Sequence, residues 1–298
     1  MNIQTLKYFL AVAREESFTR AAEILHITQP ALSKQLKLLE DELGKKLFTR
    51  QVSGIKLTAE GILLKSRAEN LVELSDKIVE EFNSMDDVTG GEIYFGLAES
   101  YQIRYLAREI RQLKNSYPNL HCNITSGDTE QVIGKLDKGI LDFAVLAETP
   151  DFYKYNFLQF PAANVWGLII PADDELARLE KIQFEDLIGL PLFCSGQAWR
   201  KEIAEWCGGK IDKLHLEASF KLSYNGSIFV KEGLGYLLTF DKIIDVSEGS
   251  GLVFRPLSPR LETKLYLVWK KYPAFSPMAE KFLSRVQEKF FDFNDDRV

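Results

Sequence analysis

Cysteine is scarce in this chain of 298 residues. Cys122, Cys194 and Cys207 are scattered too widely for a disulfide framework or a CxxC metal site, which fits a reducing compartment. The three histidines, His26, His121 and His215, are equally dispersed, so neither a metal nor another bound cofactor is expected. No apolar run approaches the ~20 residues that span a bilayer, and the opening Met1-Asn2-Ile3-Gln4 lacks the basic segment and apolar run of an export signal. These absences predict a soluble cytoplasmic protein with no membrane partner. Nucleotide and hydrolase signatures are missing as well. Gly208-Gly209 and Gly233-x-Gly235 fit neither a P-loop nor a dinucleotide fingerprint and read as turns, and there is no GxSxG elbow.

What is present is apolar side chain, 46% of residues, enough to bury sizeable cores in a chain of length suited to roughly two domains. The net charge of −6 is unevenly spread. Residues 1–65 carry ten Lys/Arg against seven Asp/Glu, leaving 27 against 36 for residues 66–298. The N-terminal part is therefore the one suited to a polyanion, although such a surplus is equally an ordinary solvated surface.

The first sixty residues carry a sharper pattern. Leu6, Phe9, Leu10 and Ala13 form one stripe of an opening helix. A second, short helix begins near Ser17 or Thr19, with Phe18, Ala22 and Leu25 inward. After a break at His26-Ile27-Thr28, Thr28 is placed to cap a third helix with Pro30 in its first turn. Leu32, Leu36, Leu39 and Leu43 give that helix an apolar stripe and leave Gln29, Ser33, Lys34 and Lys37 on the opposite side. Gln suits adenine, Ser suits base edges or phosphates, and Lys reaches guanine or phosphate oxygens from a helix in the major groove. An ordinary polar outer face is the competing explanation. Residues Leu47–Arg50 and Ile55–Thr58 flank the turn signal Ser53-Gly54 as a hairpin, with Arg50 and Lys56 available to phosphates, which reads as the wing of a helix-turn-helix.

Five blocks then carry a resemblance: Phe18-Thr19-Arg20-Ala21-Ala22, Thr28-Gln29-Pro30-Ala31-Leu32-Ser33, Leu39-Glu40-x-x-Leu43-Gly44, Leu47-Phe48-x-Arg50 and Leu57-Thr58-x-x-Gly61. Over most of residues 3–61 the sequence resembles the LysR-type transcriptional regulators. It departs from them at Ser53, where the family typically carries Arg. The resemblance implies double-stranded DNA as partner, contacted by Thr28, Gln29, Pro30, Ser33, Lys34, Lys37, Arg50 and Lys56.

From Thr58 to about Met85 there is no proline, and Leu64, Leu71 and Ile78 recur at seven-residue spacing. A helix that long and partly apolar needs a partner, either its own C-terminal domain or a second copy; the resemblance implies the second, as homodimer or homotetramer. Asp86-Asp87-Val88-Thr89-Gly90-Gly91 then supplies turn residues for a domain boundary. Beyond it, seven strand-like runs (92–98, 120–125, 141–146, 165–170, 190–194, 236–240 and 265–269) mostly alternate with helical stretches such as 101–116 and 129–138, which predicts mainly parallel sheets. Phe160-Pro161-Ala162-Ala163 interrupts this domain and suggests two lobes.

The expected layout is thus an all-α winged helix-turn-helix (1–58), a linker helix (59–87), and an α/β effector domain (91–298) of two lobes. Lobe one takes 91–161 and 267–298, ending with a helix over Pro277–Phe290; lobe two takes 162–266. The resemblance likens that domain to a two-lobed periplasmic solute-binding protein, through Gly127-Asp128-Thr129-Glu130 and Leu136-x-x-Gly139-x-Leu141-Asp142-Phe143-Ala144.

Ligands of α/β sheets collect beyond the carboxyl ends of strands. That rule selects Glu99, Ser100, Tyr101, Gly127, Asp128, Thr129, Glu148, Ser195, Gln197, Asn225 and Ser227 as contacts for a small-molecule effector of unknown identity. The serines and Thr129 serve equally as helix caps, and Glu99, Asp128 and Glu148 either select an amino group or simply cap helices and face water. A hydrolase using Ser195 would lack a histidine base; a plain solute-binding protein would not need the Thr28–Leu43 helix. The sequence therefore points to a regulator, not an enzyme, with RNA polymerase a further partner if it activates transcription.

Overall fold

The computed structural model describes residues 1–51, 54–85 and 87–295, apart from the side chains of Arg50, Gln51 and 290–295. Helix α1 (Ile3–Glu15) starts where the Asn2 carboxamide accepts the Thr5 N–H at 2.8 Å and ends at Glu16, whose φ of 50° turns the chain. Its buried face is Leu6, Phe9 and Val12 with Thr5 and Ala11; Leu10 and Ala13 of the expected stripe are half-buried. Ser17, not Thr19, caps α2 (Phe18–Ile24) by accepting the Arg20 N–H at 3.3 Å. His26, with φ of 54°, turns the chain toward α3 (Gln29–Leu43). Thr28 occupies the N-cap position of α3 but makes no side-chain capping bond, while Pro30 sits in the first turn, where its missing N–H costs little.

Leu32, Leu36 and Leu39 complete a core with Leu6, Phe9, Val12, Ala21, Ala22 and Leu47. Leu43 departs from the expected stripe: it is the last residue of α3 and is 40% exposed. Strands β1 (Phe48–Gln51) and β2 (Gly54–Leu57) pair antiparallel, Phe48 opposite Leu57 and Thr49 opposite Lys56. Ser53 lies outside the described residues. Glu40 fastens this hairpin to α3 by accepting the Leu47 and Phe48 N–H groups at 2.8 and 3.4 Å and pairing with Lys46 at 2.7 Å. Partial burial works to raise the Glu40 pKa, but those hydrogen bonds prevail and hold it below the usual value.

Helix α4 (Ala59–Ser84) is capped by Thr58, whose hydroxyl accepts the Gly61 N–H at 2.9 Å and donates to the Lys46 carbonyl at 2.7 Å. Ala68 is buried in the same core, with Leu64 and Val72 partly buried against it. Lys7 of α1 pairs with Asp76 of α4 at 2.7 Å.

The second unit contains two sheets, and its chain order is βα-like only in stretches. Lobe one orders its strands β4-β3-β5-β13-β6, from β3 (Gly90–Leu97), β4 (Asn119–Ser126), β5 (Phe143–Leu146), β6 (Tyr155–Gln159) and β13 (Tyr266–Lys270). Helices α5 (Arg104–Ser116) and α6 (Thr129–Asp137) provide its crossovers. Lobe two orders β11-β7-β10-β8-β9 with β12 also on β7, from β7 (Asn164–Pro171), β8 (Pro191–Cys194), β9 (His215–Ser219), β10 (Tyr236–Phe240), β11 (Leu252–Pro256) and β12 (Glu262–Thr263). Between β8 and β9 runs one helical stretch: α7 (Gly196–Ala198), a wider π-type turn (Trp199–Ile203) and α8 (Ala204–Trp206). Helix α9 (Ser223–Lys231) leads to β10, and α10 (Pro277–Asp295) ends the described chain.

Both sheets are mixed, which corrects the mainly parallel expectation. β3 pairs parallel with β4 and β5, and β8 with β9 and β10, as strands joined by crossover helices do. The strands that carry the chain between lobes break the pattern: β13 runs antiparallel between β5 and β6, and β7 antiparallel to β10, β11 and β12. Three strands, β6, β11 and β12, had no counterpart among the expected runs. Each is at a sheet edge or is only two residues long, so its apolar signal is weak. Helix α10 extends past the expected Phe290 and packs Met278, Ala279, Phe282 and Val286 into the lobe-one core with Phe95, Phe143 and Trp269.

Gly61 generates a prediction for the first unit. A β-carbon there would lie 2.2 Å from the Leu47 carbonyl oxygen, a backbone atom held by the Thr58 N–H. Gly61→Ala should destabilise the N-terminal unit by about 1–3 kcal/mol, seen as a lower unfolding midpoint in urea. An unchanged midpoint would show that α4 starts there without needing the close approach.

Candidate functional site

The polar face of α3 is the first candidate surface. Thr28, Gln29, Pro30, Lys34 and Lys37 are exposed and Ser33 is half-buried. The Gln29 amide donates to the Ser33 hydroxyl at 2.7 Å, which holds the two polar groups side by side one helical turn apart. Lys56 is exposed on β2, next to the hairpin turn. Arg50 sits on β1 opposite Ile55, and its side chain lies outside the described residues. On α4 the three residues at heptad spacing separate: Leu64 is partly buried against the helix-turn-helix core, whereas Leu71 and Ile78 are 43% and 47% exposed, with Val79 and Phe82 also exposed nearby.

The second candidate is a cavity of about 550 Å³ between the two lobes. Seven of the residues picked from the sequence line it: Glu99, Gly127, Asp128, Thr129, Glu148, Ser195 and Gln197. They do more than line it, because several bond directly across it. The Gln197 amide of lobe two donates to Thr129 Oγ1 at 3.2 Å and to the Glu148 carboxylate, both on lobe one. Lys201 pairs with Glu148 at 3.0 Å, and Lys221 with Asp128 at 2.9 Å. Glu99 reaches over to accept the Ser223 N–H at 2.7 Å, where α9 begins. Ser195 caps its own helix by accepting the Ala198 N–H at 3.1 Å.

Four sequence-picked residues stand elsewhere. Ser100 donates to Asn164 Oδ1 at 2.6 Å and accepts the Gln102 N–H at 3.0 Å, so it serves the crossover between lobes. Tyr101 is exposed, its ring facing the Arg104 guanidinium at 4.8 Å and the Lys242 ammonium at 5.7 Å. Asn225 is exposed on α9, and Ser227 is buried with its hydroxyl donated to the Tyr224 carbonyl at 2.8 Å. The reason is the start of α9: its first residue, Ser223, lines the cavity, and residues farther along the helix do not.

Sequence reasoning missed Trp166, Arg200, Glu202, Lys221, Thr239, Phe240 and Thr263 as lining residues. Trp166 and Phe240 form an edge-to-face pair with centroids 4.4 Å apart, and Trp166 Nε1 donates to Thr263 Oγ1 at 2.8 Å. These residues come from β7, β10 and β12, whose adjacency depends on antiparallel pairing that no local signal announces. Arg200 and Glu202 lie on the π-type turn, and their spacing after Ser195 offered the only hint. Burial raises the Glu202 pKa, whereas for Asp128 burial is outweighed by hydrogen bonds from the Gln131 N–H and Lys221, which lower it.

A short helix, a tight turn, a longer helix with an exposed polar face and a wing, followed in one chain by a two-lobed α/β unit with a polar cavity, define a DNA-binding regulator with a sensor domain. Residues 3–62 match the family described as bacterial regulatory helix-turn-helix protein, lysR family, and residues 86–291 match the LysR substrate binding domain. The chain belongs to the LysR family of transcriptional regulators. It is 26% identical over 294 residues to the hydrogen peroxide-inducible genes activator of Pectobacterium carotovorum subsp. carotovorum, covering 97% of this chain and 96% of that protein. It is 29% identical over 220 residues to the HTH-type transcriptional regulator BsdA of Bacillus subtilis (strain 168), covering 73% and 74%. Its fold is similar to the crystal structure of CbnR, a LysR family transcriptional regulator, with TM-score 0.78 at 18% identity over 97% of this chain and 99% of that one. Among the described residues, no helix is long and apolar enough to cross a membrane.

Asp128 yields a pH prediction. Its folded pKa is depressed, so the stability it contributes is present above the unfolded value of about 4 and is lost as pH falls through the lower folded value. Asp128→Asn should be less stable than the parent at neutral pH, and the gap should shrink on acidification; parallel stability curves across that range would remove the ion pair from the account.

Proposed function

We propose that this regulator reads DNA through α3, holds phosphates with its wing, pairs with a second copy along α4, and changes DNA affinity or bending when a small molecule occupies the cavity between its lobes. In this reading residues 1–58 bind DNA, 59–87 link and dimerise, and 91–298 sense the effector, with lobe one from 91–161 and 267–298 and lobe two from 162–266. Gln29 and Ser33 face base edges with Lys34 and Lys37, while Thr28, Pro30, Arg50 and Lys56 contact or shape the approach to the backbone. The carrying observation is the set of bonds across the cavity through Gln197, Lys201, Lys221 and Glu99, since an occupant must rearrange them and thereby bias how the lobes close. A cytoplasmic location and, for an activating role, contact with RNA polymerase follow from this reading.

The peroxide signal named in some relatives does not carry over to these residues. A thiolate is the species that peroxide oxidises. Burial pushes the Cys194 thiol up to about 12 and Cys207 up to about 11, and Cys122 is also raised by burial. All three therefore stay protonated at neutral pH, which favours a bound metabolite over an oxidant as the signal. A hydrolase reading fares no better: the Ser195 hydroxyl is committed to its helix cap, and no histidine is among the residues lining the cavity.

The test is binding of the purified protein to duplex DNA from upstream of its own gene, over a range of salt, against an unrelated duplex. Gln29→Ala should lose about 1–3 kcal/mol of discrimination at particular base positions, whereas Lys56→Ala should weaken every sequence and flatten the salt dependence by about one unit of slope. Equal losses on all sequences from both variants would contradict these roles. For self-association, Leu71→Asp should lower the mass in solution by placing a charge in the paired face; an unchanged mass would move the interface away from α4.

A further inference from the structure

The charges around the cavity select a class of occupant. Five carboxylates line it, Glu99, Asp128, Glu130, Glu148 and Glu202, against two cations, Arg200 and Lys221. Asp128 and Glu148 are matched by Lys221 and Lys201, but Glu99, Glu130 and Glu202 have no ion-pair partner among the described residues. One oxygen of Glu202, Oε2, is buried without any hydrogen-bond partner, and such an atom is costly to leave unmet.

Helix starts are the usual place for a ligand's anionic group, because their N–H groups lack partners. Here the chain's own oxygens already fill those places. Asp128 accepts the Gln131 N–H at 3.0 Å at the start of α6, Ser195 accepts from Ala198, and Glu99 accepts from Ser223 at the start of α9. An incoming carboxylate would have to displace these groups and would face a surplus of negative charge. The rest of the wall suits an apolar body: Trp166, Phe240, Ile243 and Leu237 line it, and aromatic rings of this kind also attract cations.

We infer that the cavity takes an organic cation, a small molecule with an amine or guanidinium group on an apolar body. The cationic group lies among Glu99, Glu130 and Glu202, and the body rests on Trp166 and Phe240. This inference rests on the reading of the cavity as the effector site and adds the chemistry of the effector. Arg200, exposed at the cavity and without an ion-pair partner among the described residues, opposes such a ligand, so its removal should favour binding.

The experiment is calorimetric titration of the full-length protein with pairs of compounds of similar body and opposite charge. The pairs are phenethylamine with phenylpropionate, and butylamine with pentanoate. At least one amine should bind saturably and about tenfold or more tighter than its carboxylate counterpart. Glu202→Gln should weaken that amine, and Glu130→Gln, at an exposed position where folding is not at stake, should weaken it to a smaller degree; Arg200→Ala should tighten it. A carboxylate that binds as well as or better than its amine counterpart overturns the inference, as does the absence of saturable binding by every amine in the panel up to millimolar concentration. DNA binding is measured on the same samples. Carboxylate binding that alters DNA affinity would overturn the cation while leaving the regulator reading intact, whereas failure to prefer the upstream duplex would count against the regulator reading itself.

Discussion

Asn164 is fully buried where the chain passes from lobe one to lobe two, and the sensor unit depends on how its amide is satisfied. Its Oδ1 accepts the Ser100 hydroxyl at 2.6 Å, and its Nδ2 donates to the Thr263 carbonyl at 3.4 Å. Gln102 joins the same place by donating to the Ala163 carbonyl at 3.1 Å, and Phe160 N–H bonds to Leu265 O at 2.9 Å. The outgoing and returning segments are thus tied to each other and to the end of β3. A buried amide left unbonded costs more than its bonds return, so this cluster fixes the two crossings in one arrangement. The cavity lies where strands from those crossings, β7 and β12, bring Trp166 and Thr263 beside residues of lobe one.

The cavity itself is not a passive gap. Gln197 is a fork that satisfies Thr129 and Glu148 at once, and Lys201 adds a charge to the same carboxylate. Hydrogen bonds to charged groups are stronger than neutral ones, yet their net worth is small where water can replace them, so these bonds join the lobes specifically at a modest energetic gain.

In the N-terminal unit the decisive device is smaller. Glu40 sits near the C-terminal end of α3 and takes two backbone N–H groups of the chain entering the wing, so the helix that presents Gln29 and Ser33 also aims the hairpin that presents Lys56. The Thr58 hydroxyl then bonds both to the Gly61 N–H and to the Lys46 carbonyl, joining the end of the wing to the start of α4. Four local polar contacts therefore set the relative placement of α3, the β1–β2 hairpin and the start of α4 within this unit.

Much of this was legible in the sequence, and the reason is locality. The periodicity of Leu32, Leu36 and Leu39, a cap at Ser17 or Thr19, Pro30 in the first turn and the hairpin around Gly54 are short-range consequences of backbone geometry, and so were the strand ends that pointed to Glu99, Asp128, Thr129, Glu148, Ser195 and Gln197. What escaped was set by distant pairing. The antiparallel return of β13 and the role of β7 as a hub made the sheets mixed, brought Trp166, Phe240 and Thr263 together, and drew Ser100 into the crossover instead of the cavity. Likewise Leu64 shares its heptad spacing with Leu71 and Ile78, yet it is partly buried because the core built by α1 to α3 lies against that turn of α4. Sequence by itself determined most of the elements, the polar face of α3 and the carboxylates near the strand ends. Tertiary structure decided which of those carboxylates acquire a cation and which face the cavity without one, because pairing depends on side chains more than fifty residues apart meeting across two lobes, and no local pattern encodes that meeting.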